Sequence, residues 1–138
     1  MAQDIAYPPS SFVKQVVTKT VTVAEATLLE LKGSSQSAYL RKSQITIYTD
    51  FTLGTASKIY LRYYVSWDNG TTYYQIPVKD LTSTKGELTN LPSILDASSP
   101  AKVVEDLPLS ACNAFKITAQ TDANTSTINA ITAVVRDN

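Results

Sequence analysis

The residues able to carry out acid–base or nucleophilic chemistry are few in this sequence of 138 residues. It contains no histidine, which excludes a Ser-His-Asp triad, a Cys-His pair and any histidine metal site. Glycine occurs only four times, at positions too far apart to form a phosphate-binding loop. The adjacent carboxylates Glu105 and Asp106 suggest glycosidase chemistry, but neighbours on a strand point to opposite sides. We therefore interpret them as solvated loop charges and predict that the chain is not an enzyme.

Oxygen ligands for a calcium ion are present, but their spacing is not that of an EF-hand loop. They are Asp68, Asn69, Asp80 and Asp96. We predict no metal site and no other cofactor. Asn69-Gly70-Thr71 and Asn124-Thr125-Ser126 match the glycosylation sequon, and without a secretory signal we interpret both as turns.

Aromatic residues are concentrated in one stretch, where they offer a binding surface rather than a reactive group. Aromatic rows on a sheet face can bind sugar rings or a partner protein. Alternatively, Tyr63 and Trp67 belong to the core and the other tyrosines form cross-strand pairs on an exposed face. For any single tyrosine both interpretations are open. A shared exposed row of Tyr60, Tyr64 and Tyr73 is better explained by an interface.

Residues 58–78 must position these aromatic side chains. Apolar and polar residues alternate along the first half, a period of two that is typical of a strand packed on a core through one face. Asp68-Asn69-Gly70 follow, and these residues tolerate the positive φ angles of a tight hairpin turn. The stretch predicts a hairpin whose first strand buries Val65 and Trp67. Its second strand should run at a sheet edge, because Pro77 lacks an N–H donor.

Further stretches show the alternation of strands, at residues 12–23, 27–32, 43–51 and 113–136. The last is divided by a turn at Asp122-Ala123-Asn124, and the opposite parity of Ile128 and Ile131 indicates a β-bulge after it. A helix over residues 24–32 would be too short to be stable. In the stretch 43–51 one face carries Ile45, Ile47, Thr49 and Phe51. Seven or eight such strands predict an all-β chain, an antiparallel β-sandwich of jelly-roll or immunoglobulin-like type.

Two segments lack this alternation, and we predict that both contact neighbouring molecules. Residues 1–11 should form an extended N-terminal arm, because Pro8-Pro9 imposes a polyproline-like conformation, and residues 12–138 a single domain. Residues 79–111 hold three prolines and many leucines, which predicts a long irregular segment pinned to its own domain and to a neighbour, in which short pieces such as residues 101–104 are candidates for strand pairing. The candidate interface residues are Tyr7, Pro8, Pro9, Phe12, Tyr60, Tyr64, Tyr73, Leu91 and Leu95.

The overall composition is that of one globular domain, with 43% hydrophobic and 17% charged residues. Lys+Arg and Asp+Glu are balanced at 12 each and scattered, which argues against direct nucleic-acid binding. There is no apolar run of membrane length and no secretory signal, so we expect synthesis in a cytoplasm and no membrane partner. The single cysteine, Cys112, cannot form an internal disulfide and should be a small buried hydrophobe.

The hairpin sequence YYVSWDNGTTYYQIPV resembles the Ser-x-Asp-Gly hairpins of small β-sandwich proteins in tailed-bacteriophage particles. Residues 113–136 are similar to the closing hairpin of such proteins. The sequence departs from the pattern by placing Asn69 between Asp68 and Gly70, and the resemblance transfers no site residues.

The resemblance implies a virion structural protein, first of all a capsid decoration or cementing protein and alternatively a neck or tail component. Its partners would be other virion proteins or copies of itself, in a homo-oligomer or symmetric assembly. A carbohydrate-binding β-sandwich module that uses Trp67 and the tyrosine row is the alternative from another class.

Overall fold

The computed structural model describes residues 12–32, 44–76, 78–79, 88–89, 92–109 and 112–136. Within these ranges every regular element is a β-strand, so no helix long and apolar enough to cross a membrane occurs there. The strands are β1 (Phe12–Val21), β2 (Ala26–Leu31), β3 (Gln44–Thr52), β4 (Lys58–Ser66), β5 (Tyr74–Gln75), β6 (Val78–Lys79), β7 (Leu88–Thr89), β8 (Ser93–Asp96), β9 (Lys102–Pro108), β10 (Ala114–Thr121) and β11 (Ser126–Arg136). The predicted all-β class is confirmed.

Nine of these strands form two antiparallel sheets, which pack face to face as a sandwich. The four-stranded sheet has the order β1-β11-β3-β9. The five-stranded sheet has the order β2-β10-β4-β5, and β8 pairs with the same edge of β4 as β5 does. Strands β6 and β7 pair with each other as a separate ribbon. The predicted antiparallel β-sandwich is confirmed.

The chain crosses from one sheet to the other at most connections. Strands β1 to β4 alternate between the sheets, and β9 to β11 alternate again. The last two strands are therefore not the hairpin that the sequence suggested, since β10 pairs with β2 and β4 while β11 pairs with β1 and β3. The turn between them is at the predicted place, with Asn124 at a φ of 62°. Alternation along a strand defines its two faces but does not identify its hydrogen-bonded neighbours.

The inner faces of the two sheets supply the core, and their alternation follows the sequence. On β3 the predicted inward set, Ile45, Ile47, Thr49 and Phe51, is buried. Burying a large apolar side chain contributes about 1.5–3 kcal/mol, so this layer is the main source of stability. Further large side chains that are almost fully buried come from both sheets: Leu29, Leu31, Ile59, Leu61, Tyr63, Phe115, Ile117, Ile128 and Ile131.

The β-bulge predicted in the last strand is present. The register of β11 on β3 shifts between Ile128 and Ala130. The bulged residue, Asn129, donates from its side-chain amide to the Asp50 carboxylate at 3.1 Å. On the other side of β11, Thr18 interrupts the β1 ladder with a φ of 51°. The irregularity thus extends across three strands of the sheet.

The expectation of one irregular segment over residues 79–111 is wrong for its second half. Strand β8 pairs with β4, and β9 forms an edge of the four-stranded sheet. Val103, Glu105 and Leu107 of β9 point inward and alternate with outward side chains. Proline is tolerated at edge strands, and Pro108 is the last residue of this one. The prolines therefore mark edge strands here rather than an irregular loop.

Candidate interaction surfaces

The turn after β4 positions the aromatic residues of the hairpin. Asn69 and Gly70 have φ angles of 57° and 89°, the positive values that the sequence predicted. The Ser66 hydroxyl accepts the N–H of Gly70 at 2.9 Å and donates to the Asp68 carboxylate at 2.6 Å. That carboxylate also accepts the N–H of Thr72 at 2.8 Å. The hydrogen bonds from Ser66 and Thr72 lower the pKa of Asp68. The Asp68 carboxylate therefore stabilises the turn as a hydrogen-bond acceptor.

The calcium ligands considered from the sequence do not converge. Asp68 follows the end of β4, whereas Asp96 pairs with Lys58 at its start. The Asp96 carboxylate accepts hydrogen bonds from the N–H and hydroxyl of Ser98, within its own loop. Asp80 lies outside the described residues. In the part of the chain that the structure describes, no group of three or more His, Cys, Asp or Glu could hold a metal ion.

Glu105 and Asp106 point to opposite sides of β9, as expected for neighbours on a strand. Glu105 faces into the sandwich, where its carboxylate accepts the Tyr63 hydroxyl at 2.5 Å and the Ser93 hydroxyl at 2.7 Å. Asp106 faces outward and accepts the Thr46 hydroxyl at 2.5 Å. Their interpretation as solvated loop charges is wrong, because both are strand residues with side-chain partners. Lying on opposite faces, they cannot act together as an acid–base pair.

Trp67 is exposed, and the prediction that it lies in the core is wrong. The alternation of β4 does bury Val65, but the strand ends at Ser66, whose side chain is buried within the turn. Trp67 is 50% exposed, and its ring centroid lies 6.0 Å from that of Tyr74, which is 59% exposed. The returning strand β5 is only two residues long, so the predicted second strand is mostly absent. An exposed aromatic pair results at the hairpin tip.

Tyr60, Tyr64 and Tyr73 lie together on the outer face of the five-stranded sheet, called here the tyrosine face. The rings of Tyr64 and Tyr73 meet edge to face with centroids 6.4 Å apart. The Lys116 ammonium lies 5.2 Å and 4.4 Å from these two centroids, and the Arg62 guanidinium lies 5.9 Å from the Tyr60 ring. These are cation–π distances. The structure therefore places the three half-buried tyrosines on one face and brings two of them, Tyr64 and Tyr73, into contact.

Two hydroxyls of the tyrosine face, those of Tyr64 and Tyr73, are hydrogen-bonded within the chain. Tyr64 donates to Glu25 at 2.7 Å, and Tyr73 donates to Glu30 at 2.6 Å. Burial alone would raise the pKa of Glu25, but hydrogen bonds from Thr118 and Tyr64 and nearby positive charges lower it. Burial and the bond to Glu30 raise the pKa of Tyr73. These contacts stabilise the exposed face, and its contact with a neighbour stays a prediction.

The other candidate interface residues fall in different places. Leu95 is 4% exposed and packs in the core of its own domain, while the adjacent Ile94 is exposed. Its burial leaves no apolar surface for a neighbour, so Leu95 does not fit an interface role. Phe12 begins β1, where it pairs with Val135. Outside the described residues lie Tyr7, Pro8, Pro9 and Leu91.

The outer face of the four-stranded sheet is a second surface, which sequence reasoning missed. Large apolar side chains are exposed there at Val13, Val17, Tyr48 and Val104, and we call it the valine face. The register places Tyr48 between Thr132 of β11 and Val104 of β9. The alternation along β3 is the sequence signal that could have revealed this face. A strand that buries its odd-numbered positions from 45 to 51 must turn Tyr48 outward.

A groove of about 350 Å³ opens on the valine face, at the small end of the range for ligand sites. Tyr48, Val104 and Ala130 are among the residues that line it, and its surface is mostly apolar. Asp50 and Lys102 also line it, with carboxylate oxygen and ammonium nitrogen 4.0 Å apart. Because these two charges pair with each other, the groove is suited to an uncharged, apolar occupant.

Cys112 is fully buried, as the sequence predicted. Burial raises the pKa of its thiol to about 11. The thiolate is the reactive form of cysteine, so this thiol is inert at neutral pH.

Comparisons with known proteins give similarity of fold only. No family model matches the sequence, and no curated protein matches it. A Bacillus endospore appendage protein, from a family of disulfide-linked pili, is similar with a TM-score of 0.50 and 11% identity over 93% of this chain and 89% of that chain. The T13 viral particle and the VP2 subviral particle of infectious bursal disease virus give TM-scores of 0.47, with 9% and 10% identity. They match over 91% and 93% of this chain but only 31% and 33% of theirs.

Proposed function

We propose that this protein is a non-enzymatic structural subunit that binds neighbouring subunits in a symmetric particle. The observation that carries the proposal is the valine face, where Val17, Tyr48 and Val104 are exposed on one side of the sandwich. Clustered apolar side chains on a surface mark sites of protein contact. The tyrosine face on the opposite side offers a second surface rich in a residue type that is enriched at interfaces. One subunit can thus bind neighbours on two sides.

We propose that the sandwich is a jelly roll, the first of the two topologies predicted. The first and last strands, β1 and β11, are neighbours in one sheet, and β2 and β10 are neighbours in the other. That nesting is what a pair of Greek keys produces. By analogy of fold, the Bacillus appendage protein shows such a sandwich used in pili. Disulfide linkage does not carry over, because the one cysteine here is buried.

Within this class we propose a capsid decoration or cementing protein of a virion, with a neck or tail component as the alternative. The support is the resemblance of residues 63–78 to hairpins of tailed-bacteriophage sandwich proteins. The positive φ angles of Asn69 and Gly70 place a tight turn within this stretch. The protein would then be made in a host cytoplasm and become part of the virion.

Co-sedimentation tests the proposal. Purified protein is mixed with assembled particles isolated from cells that carry its gene, and the bound fraction is measured at several ionic strengths. We expect binding that Val104→Asp weakens about tenfold or more, the loss of one interface contact worth about 1.4 kcal/mol. Val23→Asp is the matched control, because Val23 is 55% exposed against 58% for Val104 but lies beyond the end of β1. Failure of the unmodified protein to bind under every condition would contradict the proposal.

The exposed pair Trp67 and Tyr74 favours a second candidate, a carbohydrate-binding module. Their rings are tilted by 49° at the hairpin tip, where a sugar ring could pack against them. A glycan array separates the two candidates. Saturable sugar binding that is lost in Trp67→Ala and kept in Tyr48→Ala would favour the module, and an array without any signal would remove it.

A further inference from the structure

The edges of the four-stranded sheet are poorly suited to pairing with another chain. Strand β1 is interrupted at Thr18, whose φ is 51°. Strand β9 exposes Lys102 and Asp106 and ends at Pro108. Irregularities, charges and proline at an edge prevent it from accepting a further strand. A neighbour is therefore expected to contact a face of this sheet rather than an edge.

The groove on the valine face suits proline and aromatic rings. The Tyr48 ring on β3, 44% exposed, and Val104 on β9 form apolar walls, and the small side chain of Ala130 lines the groove on β11. Proline-rich segments dock in grooves lined by aromatic side chains, because their restricted backbone loses little entropy on binding. The neutral pair of Asp50 and Lys102 at the groove leaves no net charge for an occupant to match.

We propose that this groove receives the segment Tyr7-Pro8-Pro9 of a second copy of the chain. The segment is uncharged and offers one aromatic ring and two proline rings. The proposal rests on the structural role proposed above and names the contact that links successive subunits. Because arm and groove are different surfaces, the contact is head-to-tail, and it produces a closed ring or a filament.

A chain could bring this segment to its own groove only with residues 7–12 fully extended. Phe12 pairs with Val135, whereas the groove lies level with Thr132 and Ala130 and is centred two strands away. Strand rise and spacing place its centre about 17 Å from Phe12. Pro8 precedes Phe12 by four residues and reaches at most about 14 Å, and Tyr7, one residue further, reaches about 18 Å at full extension. Strand β1 runs from Phe12 toward the level of the groove, so a chain that filled its own groove would have to reverse direction before Phe12, whereas a second copy meets no such requirement.

A mixing experiment with two full-length variants tests this contact. Tyr7→Asp alters the arm and keeps the groove, and Val104→Asp alters the groove and keeps the arm. In sedimentation velocity we expect the unmodified protein to form concentration-dependent oligomers and each variant alone to associate about tenfold more weakly. Mixed, the variants should form a one-to-one complex that grows no further, because only one arm and one groove in the pair are intact.

Controls separate loss of contact from loss of folding. Each variant should unfold thermally as the unmodified protein does, and Tyr48→Ser serves as a second groove variant if Val104→Asp does not. Val23→Asp should associate normally. A mixture that fails to pair, or an unmodified protein that stays monomeric at all concentrations, would overturn the proposal. If both variants self-associate normally while the protein still co-sediments with particles, this contact is wrong and the structural role stands.

Discussion

The Tyr63 hydroxyl on the five-stranded sheet donates a hydrogen bond of 2.5 Å to Glu105 on the four-stranded sheet. The Ser93 hydroxyl donates to the same carboxylate at 2.7 Å. Burial and the neighbouring Glu105 raise the pKa of Tyr63 well above its usual value, so the hydroxyl stays protonated as a donor. A carboxylate between two sheets is costly unless it is hydrogen-bonded, and these two donors meet that need.

Tyr63→Phe should lower the free energy of unfolding by about 1.5–3 kcal/mol, because it removes a hydrogen bond to a charged group and leaves the ring in place. Urea denaturation at pH 7 measures the change. Tyr48→Phe, an exposed tyrosine on the same sandwich, should alter stability by no more than about 0.5 kcal/mol. Equal effects of the two substitutions would mean that the bond between the sheets contributes nothing.

Trp67→Ala should cost at most about 1 kcal/mol, because the Trp67 ring is half exposed and its neighbour Tyr74 is exposed too. Phe115→Ala, at a fully buried position, should cost about 3–5 kcal/mol. Thermal unfolding of both variants checks the contrast. Tryptophan fluorescence, which reports on this single residue, should be readily quenched by iodide. A large loss of stability in Trp67→Ala would show that the ring is buried.

The errors and successes of the sequence analysis have physical reasons. The faces of β3 could be predicted because alternation alone determines which side chains point inward. The exposure of Trp67 could not, because alternation does not say where a strand ends, and Ser66 ends this one by bonding the turn. Strand β9 was predicted only as a short candidate piece over residues 101–104, because prolines count against strands in general, whereas this is an edge strand.

Of the two candidate surfaces, only the tyrosine face could be predicted from the sequence. The tyrosine face could be predicted because Tyr60, Tyr64 and Tyr73 are close in sequence. The valine face combines Val17, Tyr48 and Val104 from three strands that are far apart in the sequence. Only the pairing of β1, β11, β3 and β9 brings these side chains together, and pairing between distant strands is not readable from local patterns.

Gly54→Ala should destabilise the fold more than Gly70→Ala. Both glycines have positive φ, 64° and 89°, which costs a residue with a Cβ about 1–2 kcal/mol. A Cβ at Gly54 would lie 3.1 Å from the carbonyl oxygen of Thr125, which is fixed backbone. At Gly70 it would lie 3.1 Å from Cδ of Lys32, a flexible side chain that can move, and 3.2 Å from the Tyr73 hydroxyl. The urea concentrations at the midpoints of unfolding rank the stability of the two variants. A larger loss of stability in Gly70→Ala would contradict this explanation.

Glu25→Gln should lower stability at neutral pH and have little effect in acid. The folded-state pKa of Glu25 lies below its ordinary value of 4.5, so its ionised form stabilises the fold. That contribution is complete above the ordinary value and is lost as the pH falls through the lowered one. The gap in urea midpoint between Glu25→Gln and the unmodified protein should therefore close at acid pH. A difference in urea midpoint that stays constant from neutral to acid pH would contradict the stabilising role of ionised Glu25.

The proposed structural role requires that a neighbouring subunit cover the valine face in the assembled particle. Thiol labelling of Val104→Cys measures this directly. The native thiol of Cys112 is buried with a pKa of about 11, so a maleimide should react only with the introduced cysteine in folded protein. On assembly the labelling rate at position 104 should fall by about tenfold or more, as expected for a site that opens only transiently. Val23→Cys should keep its rate. Equal rates at position 104 in free and assembled protein would contradict the account.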